Sequence, residues 1–236
     1  MKLEELTPET LARKIDFSIL PKNTTESDIL RGCELTRKYR FAAFYTSSSF
    51  WSPIVKRELQ GFDDIEIGTG LAFPFGSATP DAKAFETAEA VRRGCTAVDL
   101  VMNVGAAKSG RWDVIEEEVR LFVDAAGDAV TKYIFDVCFL SEEELQTAAE
   151  IAIRTGVNFV KTSTGQFDGP TLKQVIMLLE MCVGTSAKLK VAGIKEPRPS
   201  NAISLLLAGV ERIGTRAGVE IVEGLADFKK VFGNTF

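Results

Sequence analysis

The sequence predicts an α/β fold, a single (β/α)8 TIM barrel with an N-terminal helix, on three observations. Eight short apolar or β-branched runs alternate with longer stretches of helical spacing, the pattern of βαβ units around a parallel sheet. The chain has 236 residues, a length that suits a barrel without large insertions. No G-x-G-x-x-G or Walker-type turn follows an early run, so the rival, a doubly wound open sheet, lacks its usual mark.

The elements follow in order. The opening stretch, residues 1–16, is charged and amphipathic, with no apolar core of the kind a signal peptide needs, and an N-terminal helix is expected ahead of the barrel. Strand-like runs then fall at 15–20, 41–45, 65–73, 97–101, 133–139, 159–163, 188–192 and 212–215. Ser141-Glu-Glu-Glu144 is a capping box ahead of Leu145, Ala148, Ala149 and Ala152. Thr171 caps a helix whose apolar face is Leu172, Val175, Ile176 and Leu179. Ser200, after Pro199, opens a helix over 201–208 that ends at Gly209. Gly94, Gly127, Gly156 and Gly184 stand where helices should stop. Residues 228–236 read as a last helix and a tail that ends in Phe236. No linker or internal repeat divides the chain, so 1–236 is read as one domain.

Composition removes several function classes. There is no histidine, which excludes Ser-His-Asp and Cys-His pairs and zincin-type metal helices. Proton transfer then falls to Asp, Glu, Lys, Tyr, Cys or held water. With 28 basic and 33 acidic residues the net charge is −5, and the absence of a basic stripe argues against nucleic acid as a partner. The apolar runs are too short for a membrane span. Cys33, Cys95, Cys138 and Cys182 are scattered, as free thiols in a reducing cytoplasm are. No cofactor and no metal are expected; an all-carboxylate Mg²⁺ site is the one metal alternative left open.

Charged residues inside apolar strands carry the functional signal, because burying an ion costs several kcal/mol unless it is paired or neutralised. Lys161 sits in Phe-Val-Lys-Thr-Ser-Thr-Gly. A desolvated lysine loses part of its proton affinity and becomes an amine nucleophile for a carbonyl; the plain alternative is a strand-end lysine reaching solvent. Lys190, in Lys-Leu-Lys-Val-Ala-Gly, shares its parity with Lys188 and is the nearer to the barrel mouth. Its charge would favour the neutral form of Lys161; the alternative is a solvated strand-entry pair. Asp99 interrupts Ala-Val-Asp-Leu-Val-Met and suits a water-linked proton shuttle, or else a structural ion pair. Asp16, in Ile-Asp-Phe-Ser-Ile-Leu, carries the same logic more weakly, and Asp136 is a further strand acid.

Phe-Val-Lys-Thr-Ser-Thr-Gly, with the Asp-bearing fourth strand and the Lys-bearing seventh, resembles the deoxyribose-phosphate aldolase family. The resemblance runs from Ile-Asp-Phe-Ser-Ile-Leu through Gly-Leu-Ala-Phe-Pro-Phe-Gly and Asp-Leu-Val-Met-Asn-Val-Gly to Arg-Ile-Gly-Thr. It implies a metal-free class I aldolase that reversibly cleaves 2-deoxyribose 5-phosphate to acetaldehyde and glyceraldehyde 3-phosphate. By the same resemblance Lys161 is the Schiff-base lysine, Lys190 the lysine that depresses its pKa, and Asp99 the acid/base. Asp16 matches the family's first-strand aspartate. Ser18, Thr162, Gly193, Gly214, Thr215 and Arg216 fall on the substrate-binding stretches, Thr162 as wall and support. The partners implied are a small aldehyde or sugar phosphate, with a homodimer as the candidate assembly and Trp51 or Trp112 as candidate contacts.

The sequence departs from the family pattern at both ends of the pocket. Phe17 replaces a histidine, and Phe44 and Tyr45 are bulkier than the usual second-strand residues. The loop after the seventh strand has one glycine, Gly193, followed by Ile194, and Arg216 stands where a small hydroxyl residue is usual. Arg216 with Lys195 or Arg198 then offers an anion site made of side chains; the alternatives are a different short sugar phosphate or hydroxy-aldehyde, and a solvated cationic rim. A reading of another class, a non-catalytic metabolite-binding barrel, is disfavoured by three buried charges without a task.

Overall fold

The computed structural model describes residues 2–195 and 198–233. Eight parallel strands close into a barrel in chain order: β1 (Ile15–Ile19), β2 (Ala43–Thr46), β3 (Glu66–Leu71), β4 (Ala97–Val101), β5 (Val130–Ile134), β6 (Phe159–Lys161), β7 (Lys188–Ala192) and β8 (Arg212–Thr215). The helices are α1 (Pro8–Ala12), α2 (Glu26–Tyr39), α3 (Ser52–Glu58), α4 (Pro80–Arg92), α5 (Val104–Lys108), α6 (Trp112–Ala126), α7 (Glu142–Thr155), α8 (Leu172–Cys182), α9 (Arg198–Leu207), α10 (Gly218–Glu223) and α11 (Leu225–Phe232). The N-terminal helix is thus the short α1, capped by Thr7 with Pro8 in its first turn. Ser141 and Thr171 cap α7 and α8 as their spacing predicts. Among the described residues no helix is long and apolar enough to cross a membrane. Phe236 lies outside the described residues.

Alternation along the strands decides what faces where. Outward residues such as Ile15, Phe44, Val98, Leu100, Val160 and Val191 are buried beneath the helices and form the apolar core. Inward positions carry Asp16, Tyr45, Glu66, Asp99, Lys132, Lys161, Lys190 and Arg212. The lumen is polar and the shell apolar, so this barrel holds its charges on the inside.

Several boundaries differ from expectation for local reasons. The fifth strand begins at Val130 rather than 133 and ends at Ile134, because Asp136 takes a left-handed φ of 49° and Val137–Phe139 turns into a 3-10 helix. The third strand stops at Leu71, before Ala72 with φ 48° and the cis Phe73–Pro74 bond. The helix after β7 begins at Arg198, so Ser200 lies within its first turn and does not cap it. Trp51 and Trp112 pack partly buried against the core rather than standing exposed.

Candidate active site

The reactive side chains meet at the C-terminal end of the barrel, where active sites of this fold lie. The register places Lys161 beside Lys190 across β6 and β7, and Lys190 beside Arg212 across β7 and β8. Lys161 Nζ and Lys190 Nζ each donate to Asp99 Oδ2 at 2.7 Å. Lys190 Nζ also lies 2.7 Å from Asp16 Oδ2. Arg212 donates to Asp16 Oδ1 at 2.7 Å and to Glu66 Oε1 at 2.9 Å. Lys132 completes the group, 2.8 Å from Glu66 Oε2 and 3.5 Å from Asp16 Oδ2.

This cluster sets four cations against three carboxylates in a region removed from water. One cation is therefore in excess, and it is the one with the fewest anionic partners. Lys161 has Asp99 alone, whereas Lys190, Lys132 and Arg212 each reach two carboxylates. Burial pushes the Lys161 amine down, Asp99 opposes, and the Lys190 charge adds to the fall, leaving it at about 8. Lys190 is also penalised by burial, but Asp16 and Asp99 outweigh this and hold it above its ordinary value. For Asp99, burial raises the carboxyl, yet Lys161, Lys190 and Lys132 bring it down to about 2. Asp16 is lowered likewise: burial opposes, and Lys132, Lys190 and Arg212 prevail. Asp99 is thus an anion whose Oδ1 is buried without a hydrogen-bond partner, a free acceptor beside the nucleophile.

Local structure fixes Lys161 from both sides. Its carbonyl accepts from Phe135 N at 3.0 Å, and Thr162 N donates to the Lys190 carbonyl at 3.1 Å. Thr162 Oγ1 accepts from Ala192 N and donates to Ala192 O, both at 3.1 Å. Thr162 is therefore corrected from a substrate contact to a tie between β6 and β7; it does not line the cavity. Asp136 Oδ1 accepts from both the amide and the hydroxyl of Thr164, at 2.6 and 2.9 Å, and sets the start of the following loop.

A cavity of about 460 Å³ opens over the cluster, lined by Lys161, Lys190, Asp99 and Asp16. Ser18, Gly193, Gly214, Thr215 and Arg216 line it too, so those sequence expectations converge in space. Lys195 and Arg198 stand at the same cavity. Gly214 is required because a Cβ there would lie 2.9 Å from Lys190 Cε. Gly193 turns the loop after β7 with φ +83° and is its only described residue in the left-handed region, so Ile194 does not extend the turn.

Phe17 and Phe44 prove to be outward. Phe17 stacks on Phe41 and Phe44 at centroid distances of 5.0 and 5.9 Å, and neither Phe17 nor Phe44 touches the cavity. Tyr45 is the second-strand residue that lines it.

Sequence reasoning missed Lys132, Glu66 and Arg212 as members of the cluster. The available signal was parity: Glu66 alternates in step with Gly68 and Gly70, and Arg212 with Gly214.

Fold and site together define the class: a barrel enzyme of the carbon–carbon lyase kind. A deoxyribose-phosphate aldolase of Halalkalibacterium halodurans is 38% identical over 216 residues, covering 91% of this chain and 96% of that relative. The chain belongs to the deoxyribose-phosphate aldolase family. A deoxyribose-phosphate aldolase of an Exiguobacterium strain is 36% identical over 215 residues, 91% of this chain and 96% of the relative. Among solved structures, the aldolase QR15 superposes with a TM-score of 0.84 at 29% identity, over 94% of this chain and 98% of that one. A tetrameric deoxyribose phosphate aldolase from Aeropyrum pernix shares the fold, with a TM-score of 0.81 at 24% identity over 96% and 95% of the two chains. No family model matches the chain.

Proposed function

We propose that the protein cleaves 2-deoxyribose 5-phosphate reversibly to acetaldehyde and glyceraldehyde 3-phosphate through an imine on Lys161. The observation that carries this reading is the shared Asp99 carboxylate, which holds a buried Lys161 beside a charged Lys190 at the floor of the cavity. Neutral Lys161 attacks the C1 carbonyl of the open-chain sugar, and loss of water gives the iminium. Asp99, through a water at its free Oδ1, takes the proton of the 3-hydroxyl. The C2–C3 bond breaks, its electron pair enters the enamine, and glyceraldehyde 3-phosphate leaves. Protonation at C2 and hydrolysis release acetaldehyde and restore the amine. Lys190 stays charged throughout and adds to burial in favouring the neutral form of Lys161, while Asp16, itself paired with Arg212, holds Lys190 in place.

The phosphate falls to the cations of the β7 and β8 loops. Arg216 is exposed at the cavity edge and makes no ion pair among the described residues; Lys195 pairs with Asp168 at 3.1 Å, both being exposed. Side-chain binding by Arg216, with Lys195 or Arg198, is assigned here in place of a glycine-lined amide nest. A second reading, the same imine chemistry on another short sugar phosphate or hydroxy-aldehyde, is favoured by Ile194 and Arg216 alone. A single domain acting in the cytoplasm is the reading that its undivided chain and free thiols support, and a homodimer is the assembly the family resemblance implies.

Borohydride reduction in the presence of acetaldehyde, with peptide mapping, tests the chemistry. The label is expected on Lys161. Absence of label on any lysine overturns both imine readings.

A further inference from the structure

The ion pairs of the lumen run as a single file in which charge alternates. Lys161 meets Asp99, Asp99 meets Lys190, and Lys190 meets Asp16, each at 2.7 Å. Asp16 then meets Arg212 at 2.7 Å, Arg212 meets Glu66 at 2.9 Å, and Glu66 meets Lys132 at 2.8 Å. A cation stands at each end, and only Lys161 lines the reaction cavity. Glu66 and Arg212 are the first residues of β3 and β8, so the other end of the file lies toward the opposite face of the barrel. Lys132 is fully buried there. It has the Tyr45 hydroxyl at 2.6 Å and the Tyr45 and Phe159 rings at 5.0 and 5.1 Å, with Asp16 farther off at 3.5 Å. Glu66 is thus the carboxylate nearest to Lys132 and a second carboxylate for Arg212, and it keeps both cations from turning wholly onto Asp16.

We propose that Glu66, which does not line the cavity, is a positioning residue that holds the charge balance around Lys161 from the opposite end of the file. The role rests on the Lys161 imine, because it reaches the reaction only through the free amine. Without the Glu66 charge, four cations face two carboxylates. Arg212 and Lys132 then share Asp16, and the hold of Asp16 on Lys190 is divided. Lys190 in turn draws more heavily on Asp99, and Lys161 keeps a smaller share of its one anionic partner. The added net positive charge acts in the same direction, since a cation is disfavoured where like charge is in excess. Glu66 therefore keeps Lys161 protonated over a wider range of pH than the rest of the file would. The groups that face Lys161 are Asp99, Lys190, Asp16 and, from the loop after β5, Asp136. Those that face Glu66 are Lys132, Arg212 and Tyr45.

The test uses the full chain and reads Lys161 in two ways. One is the acid limb of kcat/KM for cleavage of 2-deoxyribose 5-phosphate. The other is the pH dependence of Lys161 acetylation by trace acetic anhydride, followed by peptide mapping, which reports the neutral amine without turnover. Each curve is scaled to its own alkaline plateau, so a general loss of activity does not enter. Glu66→Gln is expected to move both limbs down by roughly one pH unit. Lys132→Met, which leaves three cations facing three carboxylates, should move them up by a similar amount. The double variant restores an excess of one cation and should return within about 0.3 unit of wild type. Opposite signs separate charge balance from damage to the barrel, which would displace both single variants alike. The proposal is overturned if the two single variants shift the same way, if neither shifts, or if the double variant stays displaced. Should Glu66→Gln not fold, the Lys132→Met shift and its reversal in the double variant decide. Wild type that cleaves nothing and takes no borohydride label strikes the imine reading, and with it the use of this balance in catalysis. Acetylation limbs that stay in place strike the role of Glu66 and leave the imine intact.

Discussion

The Tyr45 ring lies against the Lys190 ammonium, with Nζ 3.9 Å from the ring centroid. The same phenol accepts a hydrogen bond from Lys132 Nζ at 2.6 Å. Its space comes from Gly68, its register partner across β2 and β3, where any Cβ would run into the ring. Burial, and then the charges of Asp99, Asp16 and Glu66, push the phenol well above its ordinary pKa, so it stays neutral. A ring face at this distance favours the charged lysine, and the charge on Lys190 adds to burial in disfavouring the charge on Lys161. Tyr45 is thus a positioning residue that acts through Lys190. Tyr45→Leu should move the acid limb of the kcat/KM profile upward by roughly half a pH unit, while Tyr45→Phe, which keeps the ring, leaves the limb in place. Identical profiles for the two variants would refute the role.

The Lys161 amine at about 8 fixes the shape of that profile. Only the neutral amine attacks, so activity rises with pH through about 8 and falls about tenfold per unit well below it. Lys190→Met removes the neighbouring cation, which leaves burial as the main opponent of Asp99 in setting the charge of Lys161. Its acid limb should therefore move to higher pH, with kcat/KM at neutral pH lower by at least about tenfold. A limb that stays at about 8 in this variant would show that desolvation alone sets the amine.

The barrel and its reactive centre were legible in the sequence for one reason: both appear as breaks in a pattern. Lys161, Lys190, Asp99 and Asp16 interrupt runs whose other members are apolar. Lys132 escaped because its strand starts with Val-Thr-Lys, which reads as a polar entry when the strand is taken to begin at Tyr133. Glu66, between Ile65 and Ile67, shows the alternation of a strand with one wet face. In this barrel helices cover the outer face and the charged positions face the lumen, so the same alternation marks the interior. Phe17 and Phe44 were misplaced through the same ambiguity of side, which a sequence resolves only when register is known.

Arg216 provides a test of how the phosphate is held. An arginine at the mouth discriminates by charge, so Arg216→Ala should raise KM for 2-deoxyribose 5-phosphate roughly tenfold and leave unphosphorylated deoxyribose within about twofold. Steady-state cleavage of the two sugars measures this. Equal changes for both would assign Arg216 to the general shape of the mouth rather than to the anion.

Outside the barrel wall, Lys83 of α4 and Glu118 of α6 form an ion pair of 2.6 Å with both side chains fully buried. Lys83 Nζ also donates to the Val101 carbonyl at 2.7 Å, and Glu118 Oε1 accepts from the Tyr133 hydroxyl at 2.6 Å and from Asn103 N at 3.2 Å. Two helices are thereby fastened to the end of β4, two residues beyond Asp99. Burial pushes the Glu118 carboxyl up and the Lys83 amine down, each partly offset by the other, so neither charge is favourable there alone. Lys83→Met leaves a buried carboxylate without its cation, and Glu118→Gln leaves a buried ammonium without its anion. Each should cost about 3–5 kcal/mol, read from urea midpoints at pH 7. The double variant has no unpaired charge to bury, so its loss should fall short of the two single losses added together by at least about 1 kcal/mol. Strict additivity would mean that the two side chains stabilise β4 separately, through the Val101 and Tyr133 hydrogen bonds, and not as a pair.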